Sequence, residues 1–184
     1  MPTFVAFMSS LVLSAGAAAN PSPAQTPPDT PCTGPEYRQF DFWLGNWEVR
    51  SPDGTLAGTN RIESILGGCA IRESWRGADG TSGTSLNAYD ARDGRWHQFW
   101  VGGRGLVLRL TGGLENGKML LSGTSPAADD PAIQVNHRIS WQRTAEGRVR
   151  QLWESSRDGG DSWKVVFDGT YTRIPETPAP SPGD

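Results

Sequence analysis

The sequence predicts an all-β fold, an antiparallel up-and-down barrel of about ten strands behind a short N-terminal helix. Three observations predict it. No stretch after residue 36 sustains an apolar 3.6-residue period over three turns. Glycine-bearing turns recur along the chain: Pro52-Asp53-Gly54, Gly67-Gly68, Asp79-Gly80, Asp93-Gly94, Gly102-Gly103, Asn116-Gly117, Glu146-Gly147 and Gly159-Gly160. The runs between them alternate in polarity, as half-buried strands do.

Residues 36–44 read as a short helix with Phe40 and Leu44 on one face. The strands then follow at 47–51, 55–66, 69–76, 81–90, 95–101, 106–111, 118–123, 133–143, 148–155 and 163–173. Strands this short and this closely joined form a meander. An open meander would leave unpaired edges, and closing the sheet removes them.

Alternation assigns the side chains to faces, with the charges outside. In the third run Ile71, Glu73 and Trp75 oppose Arg72, Ser74 and Arg76. In the fifth, Trp96, Gln98 and Trp100 oppose Arg95 and His97. Leu106, Leu108 and Leu110 oppose Arg109. Val135, His137, Ile139 and Trp141 oppose Asn136, Arg138, Ser140 and Gln142. Val149, Gln151 and Trp153 oppose Arg148, Arg150 and Glu154. In the last run Trp163, Val165, Phe167 and Tyr171 oppose Lys164, Asp168 and Thr172. The expected interior therefore holds Trp75, Trp96, Trp100, Trp141, Trp153 and Trp163, together with Glu73, Gln98, Gln151 and His137. Glu73 has no inward lysine or arginine. Its expected donors are Gln98, Gln151 and His137, and desolvation should raise its pKa unless a protonated His137 offsets it.

Outside the barrel segment, 36–174, the chain changes character. Residues 5–19 are small and apolar and end in Ala17-Ala18-Ala19, the pattern of a signal peptide spanning 1–19. The run is too short for a membrane span, so none is expected in the mature chain. Residues 20–35 carry six prolines and 175–184 carry four, the composition of a linker and a tail. The expected location is periplasmic or secreted. In an oxidising compartment Cys32 and Cys69 are expected to form a disulfide, the alternative being two buried free thiols. Across the whole chain, 17 basic residues face 20 acidic ones, a net charge of −3, which excludes a basic field for nucleic acid.

The most specific string is Phe40-Asp41-Phe42-Trp43-Leu44-Gly45-Asn46-Trp47-Glu48-Val49. Gly45-x-Trp47 at the entry to a first strand resembles the signature of the calycins, the lipocalin and fatty-acid-binding barrels. In those barrels the tryptophan plugs the closed end and a basic residue of the last strand lies across its ring. That resemblance gives Gly45, Trp47 and Arg173 the role of barrel closure. Together with Gly67–Trp75, Gly83–Asp90, Trp96–Trp100 and Arg150–Tyr171, the string resembles one bacterial family, domain of unknown function 1579. The resemblance covers nearly all of 36–173. It implies export and a calycin-like barrel, and it brings no established reaction and no catalytic residues.

Other motifs are weaker. Ser156-x-Asp158-x-Gly160-x-x-Trp163 matches the Asp-box hairpin of sialidase propellers, but a single copy reads as a tight turn. Nitrobindin-like haem barrels share the Gly-x-Trp entry, yet they hold iron through a late histidine, and 163–173 contains none. His97 and His137 fall on opposite faces, so no metal site is expected. No nucleophile elbow or phosphate loop occurs, and no cofactor is expected.

Three functional readings follow. The first is a small, partly apolar ligand held in the barrel by Glu73, Trp75, Trp96, Gln98, Trp100, His137, Trp141, Gln151 and Trp153. The second is a filled barrel serving as a structural or interaction module of the cell envelope. The third is an enzyme using Glu73 as acid or base.

Overall fold

Ten strands pair in sequence order and close on themselves in a computed structural model that describes residues 31–175. They are β1 (Gly45–Arg50), β2 (Leu56–Ile65), β3 (Ala70–Gly77), β4 (Ser82–Asp90), β5 (Arg95–Gly102), β6 (Val107–Glu115), β7 (Lys118–Pro126), β8 (Gln134–Arg143), β9 (Val149–Ser156) and β10 (Lys164–Arg173). Every neighbouring pair is antiparallel, and β1 meets β10 through Trp47 opposite Arg173 and Val49 opposite Tyr171. The expected signal peptide lies outside the described residues, as do most of the expected linker and tail.

The turn chemistry explains why the punctuation was readable. Asp53, Asp79 and Asp93 each accept, through a side-chain oxygen, the backbone N–H two residues on, at 3.0 Å. Such a bond lets the aspartate mimic a backbone turn while the following glycine supplies positive φ. The Asp-box segment is a turn as well. The Asp158 carboxylate accepts from Ser162 N–H at 3.0 Å and from the Ser156 hydroxyl at 2.7 Å.

Two strands run past the glycines at which the sequence ends them. β6 continues through Gly112 and Gly113 to Glu115, and β7 passes Gly123 and reaches Pro126. A Cβ on Gly112 would stand 2.0 Å from the Leu120 carbonyl oxygen, and one on Gly123 would stand 2.1 Å from that of Arg109. Gly112 and Gly123 admit a neighbouring backbone and do not mark turns.

The expected short N-terminal helix is present in 3₁₀ form, as two turns, Pro35–Arg38 and Asp41–Trp43. Side chains three apart nearly eclipse in that geometry. Phe40 and Trp43 therefore share the buried face, in place of the expected Phe40 and Leu44, and both are fully buried. Their rings stack at 4.8 Å. Trp96 and Trp141 meet Phe40 edge-on at 5.6 and 5.2 Å. This cluster plugs the end of the barrel where β1 begins, here called the lower end.

Cys32 and Cys69 form a disulfide, with their Cα atoms 5.0 Å apart. It ties the segment before the first 3₁₀ turn to the β2–β3 connection, also at the lower end. Arg38 reinforces the join, donating to the carbonyl oxygens of both Cys32 and Gly68.

Three expected interior residues lie elsewhere. A bulge between Val165 and Phe167 inserts Val166 and reverses the alternation of β10 above it. Val165 consequently stands outside, opposite Glu154, and is 61% exposed. Trp163 lies outside too, under the guanidinium of Arg138 at 4.0 Å, with its indole N–H donating to Gly160. Leu106 precedes β6 in the β5–β6 turn and is exposed.

Candidate functional site

Antiparallel pairing brings five loops to the upper end, beginning with those after β1 and β3. Beneath them lies a cavity of about 340 Å³. Ser51, Asp79, Thr81 and Val166 edge its mouth, and Leu108, Ile139 and Trp141 lie among the deeper lining. Trp141 belongs to both halves of the barrel: it touches Phe40 and Trp43 on one side and lines the cavity on the other.

The wall rings rest on small neighbours. A Cβ on Gly58 would stand 2.8 Å from the Trp75 ring, one on Gly83 would stand 2.2 Å from Trp100, and one on Gly169 would stand 2.6 Å from Phe167. Glycine at these positions lets each ring lie back against the sheet. A side chain there would drive the ring toward the lumen.

The polar interior is a connected belt. The Asn60 amide donates to Glu73 Oε1 at 2.7 Å, and the Ser85 hydroxyl donates to Glu73 Oε2 at 2.7 Å. Asn87 donates to Ser85 at 2.8 Å, and Gln98 donates to Asn87 at 2.8 Å. On the other side Asn60 lies 3.4 Å from the Tyr171 hydroxyl, which donates to Gln151 Oε1. Strands β2, β3, β4, β5, β9 and β10 thus each contribute to one belt.

Burial dominates its electrostatics. Glu73 is 4% exposed, and desolvation pushes its carboxyl up to about 7 against the opposing bonds from Asn60 and Ser85. Burial and the nearby Glu73 push the Tyr171 hydroxyl well above its ordinary value. The Asn60 carbonyl oxygen is buried without a partner among the described residues. Turned over, the Asn60 amide would present that oxygen to a protonated Glu73, so the belt can serve both states of the carboxyl.

Seven of the sequence-expected ligand residues line the cavity: Glu73, Trp75, Gln98, Trp100, Trp141, Gln151 and Trp153. Trp96 and His137 do not. Trp96 sits near the lower end of β5, packed on Phe40 and bonded to Gln39 at 3.2 Å. His137 is engaged at both ring nitrogens. The Trp153 indole donates to Nδ1 at 3.1 Å, and Nε2 lies 2.9 Å from the Ser125 hydroxyl. An indole only donates, so Nδ1 carries no proton and the ring is neutral. Burial lowers its pKa in agreement. The expected donors to Glu73 are also corrected. Asn60 and Ser85 hold it, while Gln98 and Gln151 bond to other members of the belt.

Asn60, Ser85, Asn87, Phe167 and Tyr171 belong to the site and were missing from its expected membership. The signal for Asn60 was present: Arg61 and Glu63 point outward, which turns Asn60 and Ile62 inward. For β4 the pattern is inverted, because Ser85 and Asn87 face inward while Leu86 is 49% exposed. Polarity alone would turn that strand the wrong way.

At the lower end, Arg173 lies 4.5 Å above the Trp47 ring, and the Trp47 indole donates to the Trp43 carbonyl at 2.8 Å. Gly45 has φ of +133°, and a Cβ there would stand 2.1 Å from the Arg173 guanidinium. Only glycine leaves room for that arrangement.

Fold and interior together define a closed ten-stranded antiparallel β-barrel, plugged by aromatic rings at one end and hollow at the other. No protein-family model matches the chain, and no curated protein matches it.

Proposed function

We propose that the protein binds a small, partly apolar ligand inside the barrel. The observation that carries this reading is the cavity itself. Its volume of about 340 Å³ falls within the range of small-molecule sites. Its walls are mostly apolar and rich in aromatic rings, and a few polar groups are fixed among them by the belt, the composition of a ligand site. The rings held against glycines favour this reading over a filled barrel. In a filled barrel those positions would carry the side chains that occupy the lumen.

The reading extends to family and compartment. The motifs that resemble domain of unknown function 1579 fall on β1, β3, β4, β5, β9 and β10, which build much of the cavity and the belt. The disulfide is consistent with an oxidising compartment outside the cytoplasm. Export would remove residues 1–19. Gly45, Trp47 and Arg173 close the barrel at the end opposite the mouth.

Native mass spectrometry of the purified protein tests the binding reading. A stoichiometric small-molecule adduct, lost on denaturation and reduced by Trp100→Ala, is the expected result. Adduct-free protein that also fails to take up small aromatic probes would refute it.

A further inference from the structure

We propose that the ligand of this cavity is an organic cation, an amine or quaternary ammonium whose charged head lies against Glu73 among the aromatic rings. This deepens the ligand-binding reading and rests on it.

The charges on the lining point one way. Among the described residues that line the cavity, the ionisable side chains are Glu73, Asp79 and Tyr171, with no lysine, arginine or histidine. Glu73 sits inside and the exposed Asp79 stands at the mouth, so the charged groups on the lining are carboxylates. Arg104 acts on Asp79 from outside the lining, whereas a ligand anion reaching Glu73 would meet no counter-charge on the lining.

The rings point the same way. Trp75, Trp100, Trp141, Trp153 and Phe167 surround the lumen. Aromatic faces attract a cation through their quadrupole, most strongly where water is excluded. An apolar ligand would gain from the same rings, so the discriminating group is the carboxylate. Asn60 and Ser85 occupy two acceptor positions of Glu73. An ionised carboxylate offers about four, which leaves room for a ligand N–H or an ammonium face.

The groups packed around Glu73 do not neutralise it. They are Asn60 from β2, Ser85 and Asn87 from β4, Gln98 from β5, Gln151 from β9 and Tyr171 from β10, and Tyr171 remains uncharged. From β8, His137 is neutral and bonded to Trp153 and Ser125. A bound cation supplies the missing counter-charge and draws the carboxyl back toward its ordinary range. Binding near pH 6 should therefore release a proton.

The test uses a matched pair of probes, benzyltrimethylammonium and its uncharged carbon isostere neopentylbenzene. The first cannot titrate, so pH acts only on the protein. Affinity is read from tryptophan fluorescence, and proton release from calorimetry in buffers of different ionisation enthalpy. At pH 8 the cation is expected to bind roughly tenfold more tightly than the isostere. The preference should shrink as pH falls below 7 and vanish in Glu73→Gln, while that variant keeps its affinity for neopentylbenzene. Equal or tighter binding of neopentylbenzene at pH 8 would overturn the cation assignment and leave the ligand-binding reading standing. A cation preference that survives Glu73→Gln, or binding at pH 6 with no proton release, would remove Glu73 from the site. Failure of both probes to bind would overturn the cation assignment and the ligand-binding reading together.

Discussion

The two ends of this barrel are built from the same residue type and put it to opposite uses. At the lower end Phe40, Trp43, Trp47, Trp96 and Trp141 are buried and in mutual contact, and they fill the space. At the upper end Trp75, Trp100, Trp153 and Phe167 are only partly buried and border an empty volume. The difference arises from what faces each ring. Below, large rings meet large rings and interlock, which is how interiors reach their packing density. Above, three of the rings meet glycines and lie along the wall. A high tryptophan count therefore distinguishes a plug from a pocket only when the opposing residues are read with it.

The comparison can be broken most forcefully at the plug. Trp43→Ala should cost about 3–5 kcal/mol in urea unfolding, the usual price of removing a buried aromatic side chain. Trp100→Ala should cost clearly less, because that ring already borders a void. Equal costs would show that the two ends are packed alike.

Opening the disulfide with Cys32→Ser and Cys69→Ser is the next largest change. The cysteines are 37 residues apart in sequence. A loop of that length corresponds to about 4 kcal/mol in the chain-entropy model. The loss should appear in unfolding free energy, while the cavity, at the opposite end, should keep its affinity for small probes.

Glu73 sharpens the comparison through pH. Its folded pKa is raised from 4.5 to about 7. Between those values the unfolded chain has released a proton that the folded protein still holds. Stability therefore falls as pH rises through this window and levels off above about 7, with a total loss of about 3 kcal/mol. Glu73→Gln should flatten the profile, leaving the variant more stable than the parent at pH 8 and similar to it at pH 4. A parent profile that rises between pH 4.5 and 7 would show that Glu73 is not buried as described.

The smallest effect concerns the closure. Trp47→Ala and Arg173→Ala should couple by about 0.5–3 kcal/mol in a double-mutant cycle, since their groups are in contact. Strict additivity would mean that the guanidinium contributes nothing over the ring.

The fold was legible because its turns are chemical statements. Asp53, Asp79 and Asp93 bond their own turns, and glycine follows each of them. The inward face was legible where alternation is unbroken and charges mark the outside, as in β3, β5, β8 and β9, although alternation does not say how deep a residue sits, and Trp96 and His137 face inward away from the cavity. The pattern failed in three places for three physical reasons. The bulge at Val166 switched the face of Trp163. Outward Leu86 and inward Ser85 and Asn87 reversed the polarity of β4. The segment before β1 adopted a three-residue spacing, which put Trp43, not Leu44, beside Phe40. The belt around Glu73 draws on six strands, and no local pattern announces which polar residues will meet across a barrel.

The central claim is that the upper half is hollow because its rings lie over glycines, and Gly83 tests it most directly. The three heavy atoms nearest to an added Cβ there all belong to the Trp100 ring, the closest at 2.2 Å, and its own backbone has no positive φ. Binding of neopentylbenzene, followed by tryptophan fluorescence, should be clear in the parent protein and at least tenfold weaker in Gly83→Val, with the barrel still folded by circular dichroism. Unchanged binding in folded Gly83→Val, or no binding in the parent, would contradict the account.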